Sequence, residues 1–221
     1  KGKSDNEIMR FCQAFMSELF RHIGADTDVP AGDIGVGARE IGYMVGMYKK
    51  LNNTRDGTFT GKWLTYWWSL IRTEATGYGV VYFLAQMLQY SNETLKGKKV
   101  IVSGSWNVAQ YAIEKAMQLG AIVISASDSD GTIEVVKWFT PELLAELLEL
   151  KNVKRGRLEE RKNKPWIVYH ADKIPRHLVA DIALPCATQN ELNLDDAKIL
   201  VKNWINYLVE WANMPTTLEA T

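Results

Sequence analysis

Apolar residues recur at helical spacing from Ser4 to Ile23, with Ile8, Met9, Phe11, Cys12, Phe15, Met16 and Leu19 on one stripe. Ser4 followed by Glu7 has the form of a capping box, so this stretch predicts an amphipathic helix. The period is lost over residues 26–37, rich in Gly, Pro and Asp, which predicts a structured loop. A helical pattern resumes from Ala38 to Leu51. A polar stretch from Asn52 to Gly61, an aromatic run from Lys62 to Leu70 and a helix from Glu74 to Leu88 follow.

The pattern then changes. Lys99-Val-Ile-Val-Ser103 is a short β-branched run, Asn107 to Leu119 reads as a helix closed by Gly120, and Ala121-Ile-Val-Ile-Ser125 reads as a second strand. Strand, tight turn, helix and strand make a βαβ unit with buried parallel strands. Thr140 to Leu150 predicts a helix with Pro141 at its first position, and Lys151 to Lys164 predicts a charged, exposed continuation. Asp181-Ile-Ala-Leu184 predicts a strand ended by Pro185, Leu194 to Lys202 a helix, and Tyr207-Leu-Val209 a further short strand. The alternation predicts an α/β fold: a doubly wound, Rossmann-like, mostly parallel sheet flanked by helices.

At 221 residues and 47% hydrophobic content the chain can bury a substantial core. Lys+Arg and Asp+Glu both number 26, so no net field draws it to nucleic acid or an anionic membrane. No apolar run approaches the roughly 18 residues of a membrane span and no leader is expected, which predicts a soluble protein of the cytoplasm or an organelle matrix. Cys12 and Cys186 lack metal or redox spacing and are expected as buried thiols. His22, His170 and His177 also lack ligand spacing, and no metal is expected.

Chemistry is expected at the carboxyl ends of the strands, in the turn that in a nucleotide-binding unit reads G-x-G-x-x-G/A. Here it reads Gly104-Ser105-Trp106-Asn107-Val108-Ala109. Gly104 suits the tight turn and Ala109 suits close helix–strand packing. Trp106 occupies the position where bare backbone approaches a pyrophosphate, so an indole is expected to fill the phosphate volume or to swing away by distorting the turn. Ser127 and Asp128 stand at the end of the second strand, where a ribose-reading residue belongs.

Longer stretches carry a family resemblance. Lys1 to Asp5, Met9 to Gln13, Asp28 to Tyr43, Ile71-Arg-Thr-Glu-Ala-Thr-Gly-Tyr-Gly79, Pro185-Cys-Ala-Thr-Gln-Asn190 and Ala212-Asn-Met-Pro-Thr-Thr217 resemble the NADP-type, hexameric glutamate dehydrogenases of bacteria and protists. The resemblance covers essentially the whole chain and is weakest between Val135 and Arg176. It implies a helical remnant of the substrate and assembly domain over residues 1–70 and a dinucleotide-binding domain over residues 71–221, shortened at its C-terminal end.

By that resemblance Asp33 matches the acid that moves protons as ammonia adds to or leaves the 2-imino intermediate. Arg72 matches the substrate side of the cleft and Thr76 the nicotinamide side. Ser103, Gly104, Ser105, Trp106, Asn107, Val108, Ser127, Asp128, Ala187, Thr188, Gln189 and Asn213 match the dinucleotide cradle, with NAD(P) as coenzyme and glutamate and 2-oxoglutarate as substrates. The chain begins after the family's lysine-rich substrate stretch and stops before the region that completes the glutamate pocket, so Asp33 is expected to lack a bound substrate.

Trp67, Trp68, Trp106, Trp138, Trp204 and Trp211 stand where the family pattern has Gly; Trp63 replaces a polar residue, and Trp166 fits. Three accounts stay open: indoles plugging an emptied cleft, each burying about 150–250 Å²; an aromatic contact surface, since Trp is enriched at interface hot spots; or single-base codon changes of artefactual or engineered origin. Two functions follow. One is a catalytically impaired glutamate dehydrogenase derivative acting as a structural or protein-binding subunit, with a protein partner or a homo-oligomer. The other is an active NAD(P)-dependent glutamate dehydrogenase.

Overall fold

The computed structural model describes residues 2–62, 64–66 and 73–221. The chain divides into two compact units, residues 1–72 and 73–221.

In the first unit, helix α1 (Asp5–Leu19) starts at Ser4. The Ser4 N–H donates to Glu7 Oε2 at 2.8 Å while the Glu7 N–H donates back to Ser4 Oγ at 3.3 Å, so two otherwise orphaned amides are satisfied reciprocally. Helix α2 (Ala38–Asn52) packs on it, burying Ile41, Met44, Val45 and Tyr48 with Cys12, Met16 and Phe59. Arg39 ties the two helices together through Asp5 at 2.6 Å. The expected aromatic run, with Trp63, Trp67 and Trp68, lies largely outside the described residues.

The second unit begins with helix α3 (Ala75–Tyr90). A four-stranded parallel sheet has the order β2-β1-β6-β7, from strands β1 (Lys99–Val102), β2 (Ile122–Val123), β6 (Ile182–Leu184) and β7 (Tyr207–Leu208). In β1, Val100 and Val102 enter one apolar cluster while Ile101 enters another on the opposite face. A parallel strand covered on both faces has no polar side to show, so it reads as an unbroken apolar run. Helix α4 (Asn107–Gln118) crosses α3 closely: a Cβ on Gly77 would stand 2.6 Å from the Val108 carbonyl oxygen.

Two regions depart from the sequence expectation. The second predicted strand is split into β2 and β3 (Ser125–Asp128), and β3 joins β4 (Gly131–Val135) and β5 (Ile167–Ala171) in an antiparallel sheet of order β3-β4-β5. The stretch 151–164 is not a uniformly exposed helix. Helix α5 (Pro141–Leu148) runs into a π-turn over Glu149–Val153, and Leu150, Lys151 and Leu158 are buried. Charge counting missed this because a lysine is buried when a carboxylate meets it, and its partner Asp128 is 23 residues away in sequence.

Helix α6 (Leu194–Lys202) starts at Asn193, whose side chain accepts from the Asp195 and Asp196 amides. It ends with the Trp204 N–H on the Val201 carbonyl and the Ile205 N–H on the Leu200 carbonyl, both at 3.1 Å. That is a Schellman motif, whose first residue beyond the cap is left-handed; here it is Trp204, at φ 62°.

Candidate functional site

The carboxyl ends of β1 and β6 are stitched together before any ligand is considered. The Ser103 N–H donates to the Leu184 carbonyl at 3.1 Å, and Ser103 Oγ accepts the Cys186 N–H at 3.0 Å. Gly104 follows at φ 87°, and a Cβ there would stand 2.8 Å from the Cys186 carbonyl oxygen. Backbone conformation and space both demand glycine. Its N–H donates to Ser127 Oγ at 2.8 Å, and its carbonyl accepts the Ser127 N–H at 3.0 Å, so the end of β3 grips the turn on its other side. Ser127 is thereby a buried clamp on the turn.

Ser105 is buried, and its hydroxyl has no hydrogen-bond partner among the described residues. Trp106 is the N-cap of α4, with no side-chain capping bond, in contrast to Ser4, Thr140 and Asn193 at other helices. Its φ of −100° and ψ of −164° are extended backbone open to any residue, so the expected distortion of the turn does not occur. The indole projects outward, 54% exposed, with the Lys151 ammonium 5.2 Å from its ring. The other described tryptophans that the resemblance sets against glycine, Trp138, Trp204 and Trp211, are likewise exposed, at 51, 78 and 41%. They do not plug a groove as buried filler.

Asp128 is turned inward. Its carboxylate accepts the Lys151 ammonium at 3.0 Å, the Leu158 N–H at 3.0 Å and the Asp130 N–H at 3.1 Å. Burial pushes the carboxyl upward, but the Leu158 amide and Lys151 outweigh it and hold the group below the usual carboxylate range. Nearer solvent, Arg157 pairs with Asp130 at 3.2 Å and donates to Ser129 Oγ at 2.6 Å.

Ala187, Thr188, Gln189 and Asn213 lie on two apposed loops. Ala187, Thr188 and Gln189 follow β6, and Ala187 donates its N–H to Glu191 Oε1 at 3.2 Å. Burial pushes the Glu191 carboxyl up and the Cys186 thiol well up. The segment carrying Asn213 is fastened to this loop by the Trp211 and Ala212 N–H groups on the Pro185 carbonyl, at 3.1 and 3.2 Å, and by the Asn190 N–H on the Met214 carbonyl at 3.0 Å. Thr76 sits in the first turn of α3, beside Gly77, where α3 meets Val108 of α4. Asn107 and Val108 form the first turn of α4, against which the start of α3 packs. Arg72 lies outside the described residues.

Asp33 belongs to the first unit. Its main chain exchanges hydrogen bonds with Val36 at 3.1 and 2.8 Å, and its carboxylate accepts the Ile34 N–H at 2.7 Å. It does not cap the following helix: Gly37 does, with its N–H on Glu40 at 2.9 Å.

Two residues of this site have no signal in the sequence. Gln110 reads as an ordinary polar position of α4, yet it is buried and donates to the Ser105 carbonyl at 2.8 Å. Asn152, in the run expected to be solvated, exchanges two amide hydrogen bonds with Gln110 at 3.1 and 3.0 Å. Among the described residues no group of three or more His, Cys, Asp or Glu is placed to hold a metal, and no helix is long and apolar enough to cross a membrane.

Comparison with known proteins bears on this arrangement. Residues 69–221 match the Glutamate/Leucine/Phenylalanine/Valine dehydrogenase family, and residues 1–50 match the Glu/Leu/Phe/Val dehydrogenase dimerisation domain. The chain is 58% identical to the NADP-specific glutamate dehydrogenase of Escherichia coli and 57% identical to that of Haemophilus influenzae, in each case over 100% of this chain and 49% of the relative. The crystal structure of Plasmodium falciparum glutamate dehydrogenase superposes with a TM-score of 0.89 at 49% identity, covering 100% of this chain and 47% of that one. The chain therefore spans about half the length of the relatives it matches.

Proposed function

Because the chain belongs to the Glu/Leu/Phe/Val dehydrogenase family, we propose that it forms the coenzyme-carrying part of a glutamate dehydrogenase interconverting L-glutamate with 2-oxoglutarate and ammonia. The observation that carries this reading is the turn from Ser103 to Asn107. It leads into a helix with no side-chain cap, behind a glycine that admits no Cβ, and next to an orphaned buried hydroxyl on Ser105. These residues fit a phosphate group, because unpaired helical N–H groups and the helix dipole favour an anion.

Ser105, Asn107 and Val108 would hold the coenzyme phosphates, with Thr76, Ala187, Thr188, Gln189 and Asn213 around the rest of the dinucleotide. When bound, the nicotinamide supplies the hydride acceptor and donor. Asp128 is neutralised by Lys151, so it offers no free carboxylate to repel a ribose phosphate, and the Arg157 guanidinium brings positive charge to the exposed rim beside Ser129. This supports NADP over NAD. The family resemblance supports Asp33 as the acid–base that moves the proton at the substrate nitrogen and gives Arg72 a substrate-binding role. The match of residues 1–50 to a dimerisation domain, with Phe11 and Phe15 exposed on α1, supports assembly as a homo-oligomer.

Trp106 supports a second reading, in which coenzyme binding is impaired and the chain serves as a structural or protein-binding subunit. Its exposed indole stands at the cap of α4, on the approach to the amides a phosphate would use. Titration of NADPH fluorescence with the chain and with Trp106→Gly separates the two. Saturable binding by the unaltered chain supports the dehydrogenase reading. Binding at least about tenfold tighter in Trp106→Gly, a change of roughly 1.4 kcal/mol, supports impairment. Absence of binding by both proteins refutes the coenzyme site.

A further inference from the structure

The π-turn at the end of α5 is placed to do more than finish a helix. A π-turn shifts the register of the residues it carries, and such turns recur at functional sites. Here it delivers two consecutive residues to two different partners. Lys151 reaches the Asp128 carboxylate at 3.0 Å, and Asn152 reaches the Gln110 side chain. Gln110 in turn holds the carbonyl of Ser105, in the turn between β1 and α4, at 2.8 Å.

The hydrogen-bonding inventory of this relay closes tightly. A glutamine amide has two N–H groups and one carbonyl oxygen. Gln110 Nε2 serves the Ser105 carbonyl and Asn152 Oδ1, and its Oε1 accepts the Asn152 amide at 3.0 Å. The Ser105 carbonyl fixes the orientation of the peptide that joins Ser105 to Trp106, because a peptide unit is planar and its C=O and N–H point in opposite senses. A buried polar group left unpaired is costly, so the relay holds one orientation of that peptide.

We infer that Gln110 and Asn152 are positioning residues that set the phosphate-binding turn, with Asn152 acting only through Gln110. This deepens the dehydrogenase reading given above and rests on it for the identity of the ligand. Neither side chain touches the ligand in this account; both fix the backbone that does. Because Gln110 is buried and Asn152 is exposed, the first contact is the stronger and the second tightens it.

The test uses Gln110→Met, which keeps the length and volume of the side chain without its amide, together with Asn152→Ala and the double variant. Two readouts are taken: the Kd for NADPH, and the hydrogen-exchange rates of the amides from Ser105 to Asn107. Gln110→Met is expected to weaken NADPH binding about tenfold, through loss of the buried bond to the Ser105 carbonyl, and Asn152→Ala about threefold, through loss of the partly solvated amide pair with Gln110. The double variant is expected to match Gln110→Met rather than the product of the two effects, since residues acting in series are not additive.

Exchange of the three turn amides is expected to accelerate in the same order, with helix α3 unchanged as the internal reference. Unchanged turn exchange in Gln110→Met, or a double variant equal to the product of the singles, overturns the relay. If the unaltered chain fails to bind NADPH, the dehydrogenase reading fails, while the exchange measurement still decides whether the relay sets the turn. Asn152→Ala, altered at an exposed position, keeps the test open if Gln110→Met does not fold.

Discussion

Replacing Trp204 by glycine isolates one energetic quantity in this fold. Trp204 lies just beyond α6 at φ 62°, inside a Schellman motif whose two 3.1 Å hydrogen bonds require a left-handed residue. A residue with a Cβ costs about 1–2 kcal/mol in that conformation, because the Cβ approaches the following carbonyl oxygen. Glycine removes that cost, but it loosens the unfolded chain by about 0.4–1 kcal/mol. The indole itself is 78% exposed, so its removal sacrifices little burial. The balance favours Trp204→Gly by about 0.5–1 kcal/mol, which in a domain of this size raises Tm by about 1–4 °C.

The assay is urea and thermal unfolding followed by circular dichroism, which does not depend on the tryptophan removed. Trp204→Ala is the control: it also deletes the indole but keeps the Cβ, and should stay within about 0.5 kcal/mol of the parent. A Trp204→Gly protein no more stable than Trp204→Ala would refute the reasoning, since the two differ only in the atom said to carry the strain.

Two further outcomes follow from buried charge. Lys151→Met should destabilise the second unit by about 3 kcal/mol in urea unfolding, because it leaves Asp128 in a site where its side chain is 5% exposed without its cation; equal stability would show that the two backbone amides suffice. Burial pushes the His177 imidazole down, with His170 and Lys173 acting the same way against the opposing Ile174 carbonyl and Glu134. The folded state then binds fewer protons than the unfolded one, so stability is present above the unfolded pKa of about 6.5 and is lost as pH falls below it. The urea midpoint measured from pH 7.5 to 5 should fall less steeply in His177→Gln, and an identical slope would remove His177 as the cause.

Local pattern determined much of this protein. The Ser4–Glu7 capping box, the β-branched run of β1, Pro141 at the start of α5 and the G-x-x-x-x-A turn each depend on residues within one helical turn or strand of each other, and these interactions form wherever that sequence is placed. Hence the α/β class, the parallel strands and the position of the turn after β1 are legible in the sequence. The antiparallel sheet β3-β4-β5 was not, because its strands pair across up to 40 residues, from Gly131 to Ala171, and half-polar strands look like loops until a partner covers them.

The same limit governed the site. Sequence alone singled out Gly104, Trp106 and Asp128 as candidates, but only the tertiary structure decided what each side chain faces. Trp106 took an extended backbone and turned outward, Asp128 turned inward to Lys151, and Gln110 reached back to the turn with Asn152 behind it. Each of these outcomes depends on partners brought together by folding, because burial, ion pairing and amide satisfaction are properties of a neighbourhood in space, which adjacency along the chain does not encode.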